Sequence, residues 1–235
     1  MDAERILNAV QSALDHVAGV SGHVRGAVVL GSTLHTGPLD LVAVLADTRR
    51  RYPEVVVHLR QSSMGSAGNL NAVRDGSMDI ALIAVPQVGE PPSGVNLRSL
   101  VAEPLAFVCR PDHPLAARTH LTVAQLAGEQ IMRFPPGWGV RDTVDRVLGS
   151  APSAVEVADY DLMTKLVRAG FGTTLMPLSA VGTRRGLARV PLDDLRMRWS
   201  LSTATSAGRR PTAATAVLLE GLTRGAQPTR ASKFS

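Results

Sequence analysis

The sequence predicts an α/β protein: two parallel-type sheets flanked by helices and joined by two crossover strands. Three observations carry this expectation. The 235 residues are 45% hydrophobic but only 3% aromatic, so the core must be built from Val, Leu, Ile and Ala, as in buried parallel strands and the helices that cover them. Short apolar runs alternate with helical patterns along most of the chain, which is the signature of strand–helix–strand units. Two further runs, Leu97 to Arg110 and Met197 to Ala204, are suited to leave one sheet and enter another.

Taken in order, Ile6, Leu7, Val10, Leu14 and Val17 recur at three- and four-residue spacings, an amphipathic helix from about Ala3 to Val17 whose apolar stripe needs a partner. Gly19 and Gly22 break it. Ala27 to Leu30 then reads as a strand, Gly31-Ser32-Thr33 as a loop and Pro38 to Arg50 as a helix. Tyr52-Pro53 stops that helix, because the residue before proline is pushed out of the α region. The next unit is Val55 to Leu59, a loop from Ser62 to Ser66, and a helix from Ala67 to Arg74 ending at Gly76, with a third strand from Ile80 to Val85. Connections this short require parallel pairing through right-handed crossovers.

A Pro/Gly/Ser-rich link from Pro86 to Gly94 leads into the first crossover strand. The theme then repeats, with Gln130 to Phe134 as strand, Pro136-Gly137-Trp138-Gly139 as loop and Val140 to Leu148 as helix. Val155 to Val157 is a strand, Asp159-Tyr160-Asp161 caps a helix running to Arg168, and Thr173 to Met176 is a strand before Pro177. After the second crossover strand come a helix from Ala213 to Leu222 and a polar tail. The expected organisation is a helical remnant at 1–20, a first lobe from 24–102 with 201–227, a second lobe at 103–200 and a disordered tail at 228–235. Two lobes imply a cleft, where small-molecule sites concentrate.

Composition narrows the function. Cys109 is the only cysteine, so there is no intrachain disulfide and no thiol zinc cluster, and a reducing cytoplasm is expected. In an apolar strand it reads as a small buried hydrophobe, which argues against redox sensing. Asp2, Glu4, Arg5 and Asp15 break up any signal-peptide core, and no later apolar run approaches membrane-spanning length. A net charge of +5 and a pI near 10.3 invite a nucleic-acid reading. The basic residues are dispersed, however, with no aromatic stacking platform among them, so they read as solvated helix faces. His16, His23, His35, His58, His113 and His120 show no metal-ligand spacing. Gly170-x-Gly172 follows a helix and opens a strand, the reverse of a dinucleotide fingerprint, and neither a P-loop nor a Gly-x-Ser-x-Gly elbow is present. No enzyme, cofactor or metal is expected.

Several motifs together carry a resemblance. Arg51-Tyr52-Pro53-Glu54-Val55 is followed by Asp75-Gly76-Ser77-Met78-Asp79-Ile80-Ala81-Leu82, Glu103-Pro104-Leu105 and Pro111-Asp112-His113-Pro114-Leu115-Ala116. Then come Leu121-Thr122-Val123-Ala124-Gln125-Leu126-Ala127 and the run from Leu166 to Pro177. Each is weak alone, but their order and spacing over about residues 20–222 resemble the effector-binding domain of LysR-type transcriptional regulators. The resemblance implies a two-lobed, periplasmic-binding-protein-like fold that takes a small-molecule effector between its lobes. It also implies a homo-oligomer, dimer or tetramer, that reaches DNA only through a winged helix-turn-helix head not contained in this sequence. The stretch from Ala3 to Val17 resembles the end of the linker helix joining that head to the sensing domain.

Loops at the carboxyl ends of strands bring helix N-termini together, whose free N–H groups suit an anion. The expected effector contacts are Ser32, Thr33, Leu34, Ser66, Phe134, Trp138, Gly139, Arg141, Tyr160 and Thr173. Ser32, Thr33 and Ser66 fall where this family's effector-contacting hydroxyls lie, although each reads equally well as a cap on its own helix. Trp138 is either a wall over the ligand or a packed loop anchor. Arg141 and, behind it, Arg133 are candidates for pairing with a carboxylate, with a surface role as the alternative. His35, beside the first loop, is the one histidine to watch. A transport-system solute-binding protein on the same clamshell is the competing reading, disfavoured by the lack of an export signal.

Overall fold

A computed structural model describes residues 24–86, 90–182 and 185–226. The expected helix at Ala3–Val17, the hinge at Gly19 and Gly22, and the tail at 228–235 lie outside the described residues.

The chain opens with strand β1 (Gly26–Ser32), helix α1 (Leu41–Arg51) and strand β2 (Val55–Gln61). Asp40 caps α1 by accepting from the Ala43 N–H at 2.9 Å, and three arginines sit in its last turn against the negative helix end. Capping by Asp40 starts the helix three residues later than the expected Pro38. Helix α2 (Gly65–Asp75) follows, closed by Gly76 in the left-handed region, and leads to strand β3 (Ile80–Pro86). β1 pairs in parallel with β2 from Gly26↔Val55 to Ser32↔Gln61 and with β3 at Leu30↔Ile80. Ile80, Ala81, Leu82 and Ile83 are fully buried. That continuous burial explains why β3 is apolar on both faces.

Strand β4 (Val95–Cys109) joins the two halves of the molecule. Its residues up to Pro104 pair antiparallel with β8 (Arg198–Ser206), and from the very next residue, Leu105, it pairs antiparallel with β6 (Thr173–Pro177) and β7 (Ala188–Pro191). β8 also pairs antiparallel with β3. The strand order is β2-β1-β3-β8-β4-β6-β5, with β7 on β4. Among the described strands, parallel pairing joins β1 to β2 and β3 and β5 (Ile131–Met132) to β6, with isolated parallel bridges at Leu121↔Leu192 and Arg133↔Glu156. The sheets are therefore mixed rather than uniformly parallel, because each linking strand enters against the direction of its neighbours.

The second half holds α3 (Gly139–Leu148), α4 (Tyr160–Arg168) and the short α5 (Leu178–Val181), and the C-terminal helix α6 (Ala213–Gly225) returns to pack on α1. The strand expected at Val155–Val157 is a single bridge, Glu156 to Arg133. Proline and glycine follow Phe134 so closely that β5 keeps only two paired residues. β7 and α5 have patterns too short to be read from sequence. Trp199, Phe107, Phe134, Leu30 and Leu82 are among the largest fully buried side chains of the main core. A smaller cluster under α2 contains Val73, Met78, Ile83 and Ala204. No helix among the described residues is long and apolar enough to cross a membrane.

Candidate functional site

The carboxyl ends of β1 and β5 and the start of α2 meet where the halves touch, and there the loop Pro135–Gly139 is pressed onto α2 and β3. The Ala67 N–H, in the first turn of α2, donates to the Gly137 carbonyl at 3.0 Å. Gly65, at φ +59°, has the Trp138 indole so close that a Cβ would stand 2.8 Å from its Cδ2. A Cβ on Gly139 would come within 2.1 Å of the Ala84 carbonyl oxygen. These glycines let two backbones meet.

A second contact lies nearby. The His35 Nε2 is 2.8 Å from the Ser179 hydroxyl, which in turn donates to Glu103. The Ser179 N–H donates to the other Glu103 oxygen at 2.7 Å. The imidazole sits between Tyr160 and Trp199, 5.4 Å from each ring, and Tyr160 meets Phe134 at 4.8 Å. Burial alone would raise the Glu103 carboxyl, but its bonds to His35 and Ser179 outweigh that and hold it below the usual range. Burial, with the Glu103 charge adding, pushes the Tyr160 phenol well up.

Among the expected contacts, Ser32, Thr33, Leu34, Ser66, Phe134, Trp138, Gly139 and Tyr160 belong to the strand-end and helix-start loops around these contacts. The Ser32 hydroxyl donates to the Thr33 carbonyl at 3.1 Å, and that of Thr33 to the His35 carbonyl at 2.7 Å. Both therefore brace their loop rather than cap α1. Ser66 does not cap α2 either: its hydroxyl accepts from the Ala84 N–H at 3.0 Å, fastening α2 to β3. Leu34 is 45% exposed, whereas Phe134 is buried.

Arg141 and Thr173 are placed differently. Arg141 is buried and donates to Asp145 at 2.6 Å, Glu156 at 2.6 Å and the Phe134 carbonyl at 3.0 Å. Arg133 pairs with the same Asp145 and donates to the Gly149 carbonyl. The network holds α3 against β5 and keeps both guanidiniums within the second half. Thr173 starts β6, whereas Pro177, at the other end of that strand, pairs with Leu105 beside the switch point. Its hydroxyl donates to the Gln130 carbonyl. Ser179 and Glu103, which were not among the expected contacts, lie beside that other end of β6 and bond each other. Their only sequence signal was position, one just beyond Pro177 and the other at the Glu103-Pro104 boundary of the crossover strand. No group of three or more His, Cys, Asp or Glu among the described residues could hold a metal.

With this geometry in hand, known proteins supply a context. The family model described as the LysR substrate binding domain matches residues 21–227. The HTH-type transcriptional regulator BudR of Raoultella terrigena is 28% identical over 186 residues, covering 76% of this chain and 63% of its own length. The chain spans about three fifths of the length of the first curated relatives it matches. A Corynebacterium glutamicum OxyR C206 mutant superposes with a TM-score of 0.74 at 25% identity, covering 95% of this chain and 71% of that one. The effector-binding domain of QuiR in complex with shikimate matches in fold, with a TM-score of 0.71 at 15% identity, covering 85% and 96%.

Proposed function

The chain belongs to the LysR substrate-binding domain family, and from that premise we propose that it senses a small anionic effector held between its lobes and passes a change of lobe spacing to DNA-binding heads. The observation that carries this reading is the seam at Gly137, Trp138 and Gly65. A helix N-terminus of the first lobe, which would otherwise suit an anion, gives its Ala67 N–H to a carbonyl of the second. A carboxylate entering the seam competes for that N–H group, so binding and lobe spacing are coupled through one donor. Coupling of this kind requires different affinities for the two spacings, and the single-residue sheet switch at Pro104 and Leu105 provides the bending point.

The lobes in this reading are 24–102 with 201–227, and 103–200. Ser32, Thr33, Leu34, Ser66, Trp138, Gly139 and Tyr160 form the effector's surroundings, Phe134 backs Tyr160, and Arg141 positions α3. The working form is a homo-oligomer in the cytoplasm that meets DNA through a winged helix-turn-helix head.

His35, Ser179 and Glu103 contain the residue types of a hydrolytic triad, but the arrangement favours a structural role. The Ser179 hydroxyl lies against both His35 Nε2 and Glu103, whereas a nucleophile's base needs its carboxylate on the other ring nitrogen. A thermal-shift screen against small carboxylates tests the function, because a ligand that binds only the folded state raises the melting temperature. The expected result is a rise that a Ser66→Ala, Trp138→Ala variant loses. No rise with any carboxylate, or a rise that the variant keeps, would count against the reading.

A further inference from the structure

A cleft of about 980 Å³ opens between α2, α3 and the face of the first sheet that α2 covers. β8 alternates across this sheet. Leu201 is fully buried in the main core, while its neighbours Ser200 and Ser202 line the cleft. Ser99 of β4 lies opposite Ser202 in the strand register and lines it too. β8 is antiparallel to both its neighbours, and such a strand commonly alternates an apolar face with a polar one; here the polar face is a row of hydroxyls that offers hydrogen-bonding capacity to the cleft.

Ser200 and Ser202 are each only 4% exposed, and neither side chain makes a hydrogen bond with another described residue. Their hydroxyls are therefore free to bond a solute in the cleft. The Ser66 hydroxyl accepts from the Ala84 N–H, so its proton remains available to the same space.

The opposite wall is α3, with Asp142, Asp145 and Arg146. Asp145 is engaged by Arg133 and Arg141. The Asp142 carboxyl makes no ion pair or hydrogen bond among the described residues; desolvation first, and the Asp145 charge second, push it above the ordinary value, while the Arg146 and Arg141 charges act the other way. Glu90 on the rim likewise has no ion pair among the described residues, and Arg146 is the one cation in the lining.

We propose that this cleft, which adjoins the seam at Trp138 and shares Ser66 and Ala67 with it, is a second binding site, for a small hydroxylated organic cation. Its ammonium group would meet Asp142 and its hydroxyls the serines of β4 and β8. A charge-assisted bond to the Asp142 carboxylate supplies the affinity, and the hydroxyl row sets the preference for a polyol over a bare amine. Because Asp142 and the serines come from opposite sides of the sheet switch at Pro104 and Leu105, an occupant spans both lobes.

The test is a titration of the isotope-labelled chain in phosphate buffer with glucosamine and with tris(hydroxymethyl)aminomethane, read from amide resonances. N-acetylglucosamine serves as the neutral comparator. Both cations are expected to shift the amides of Ser99, Ser200, Ser202 and the first turns of α3. Asp142→Asn is expected to weaken binding about tenfold or more, in line with the loss of a charged partner, and Ser200→Ala with Ser202→Ala to weaken glucosamine similarly. If the serine double variant does not fold, Asp142→Asn, on the exposed face of α3, decides alone. The proposal is overturned if neither cation moves these amides, if the neutral sugar moves them equally, or if Asp142→Asn changes nothing. Shifts appearing only at Ser32 and Trp138 would also overturn it, while leaving the seam's own function standing.

Discussion

Gly65 and Trp138, from opposite sides of the sheet switch, lie so close that no methyl group fits between them: a Cβ on Gly65 would be 2.8 Å from the indole Cδ2. The seam is therefore sensitive to single added carbons. Gly139 is the sharper case, since its neighbour is the Ala84 backbone at 2.1 Å, which cannot rotate away. Gly139→Ala is expected to part the lobes, at a cost of about 1–3 kcal/mol from overpacking, with the secondary structure kept. Small-angle scattering should show a larger radius of gyration, and circular dichroism an unchanged spectrum.

His35 joins its loop to Ser179 and Glu103 while packed at a tilt against two rings. His35→Ala removes one hydrogen bond and two ring contacts, so a loss of about 1–3 kcal/mol is expected. Denaturant unfolding measures it. An effect within error would mean that this contact does not hold the loop.

Glu103 predicts the pH dependence of the same contact. Burial acts to raise its carboxyl, and the His35 and Ser179 bonds more than reverse that, so the folded value lies below the ordinary 4.5. A depressed carboxylate stabilises fully above its unfolded value, and the contribution is lost as pH falls through the folded one. Melting temperature followed from neutral pH into acid should drop in the wild type below about 4.5 and drop less steeply in Glu103→Gln.

Arg141 is predicted to matter for stability before binding. Its removal leaves the Asp145 and Glu156 charges without that partner; both carboxylates are partly exposed and Asp145 keeps Arg133, so the loss of these charge-assisted bonds costs about 1.5–3 kcal/mol. Arg141→Ala should lower the melting temperature strongly, whereas Arg141→Lys, which cannot reach the same three acceptors, should rescue it only in part.

Cys109 is buried in β4, and burial, with Glu129 and Asp112 adding, pushes its thiol up to about 11. The thiolate is the reactive form. Peroxide treatment at neutral pH is expected to leave Cys109 of the folded chain unmodified, with added oxygen confined to exposed methionines such as Met64, despite the chain's likeness in fold to OxyR; an added oxygen located at Cys109 would contradict this.

Much of the fold was legible in the sequence because its signals are local. The all-apolar β3, the proline that stops α1 and the glycine that closes α2 each act within a few residues. The single-sheet pairing of β8 and the two-residue length of β5 were not legible, since both depend on partners far along the chain. The same distinction separates the site residues. Trp138 and Ser66 sit at strand-end and helix-start loops that periodicity could locate. Thr173 stands at the start of β6 with its hydroxyl on the Gln130 carbonyl, and Arg141 is drawn inward by Asp145 and Glu156, whose positions only the packing of α3 on β5 reveals.

Amide hydrogen exchange at Ala67 tests the coupling of binding to lobe spacing most directly, because that N–H crosses the seam to Gly137. With a carboxylate that raises the melting temperature bound to saturation, its exchange rate should change about tenfold or more while amides within β8 change only with global stability. Saturated binding with the Ala67 rate unaltered relative to β8 would contradict a ligand that acts by moving the lobes.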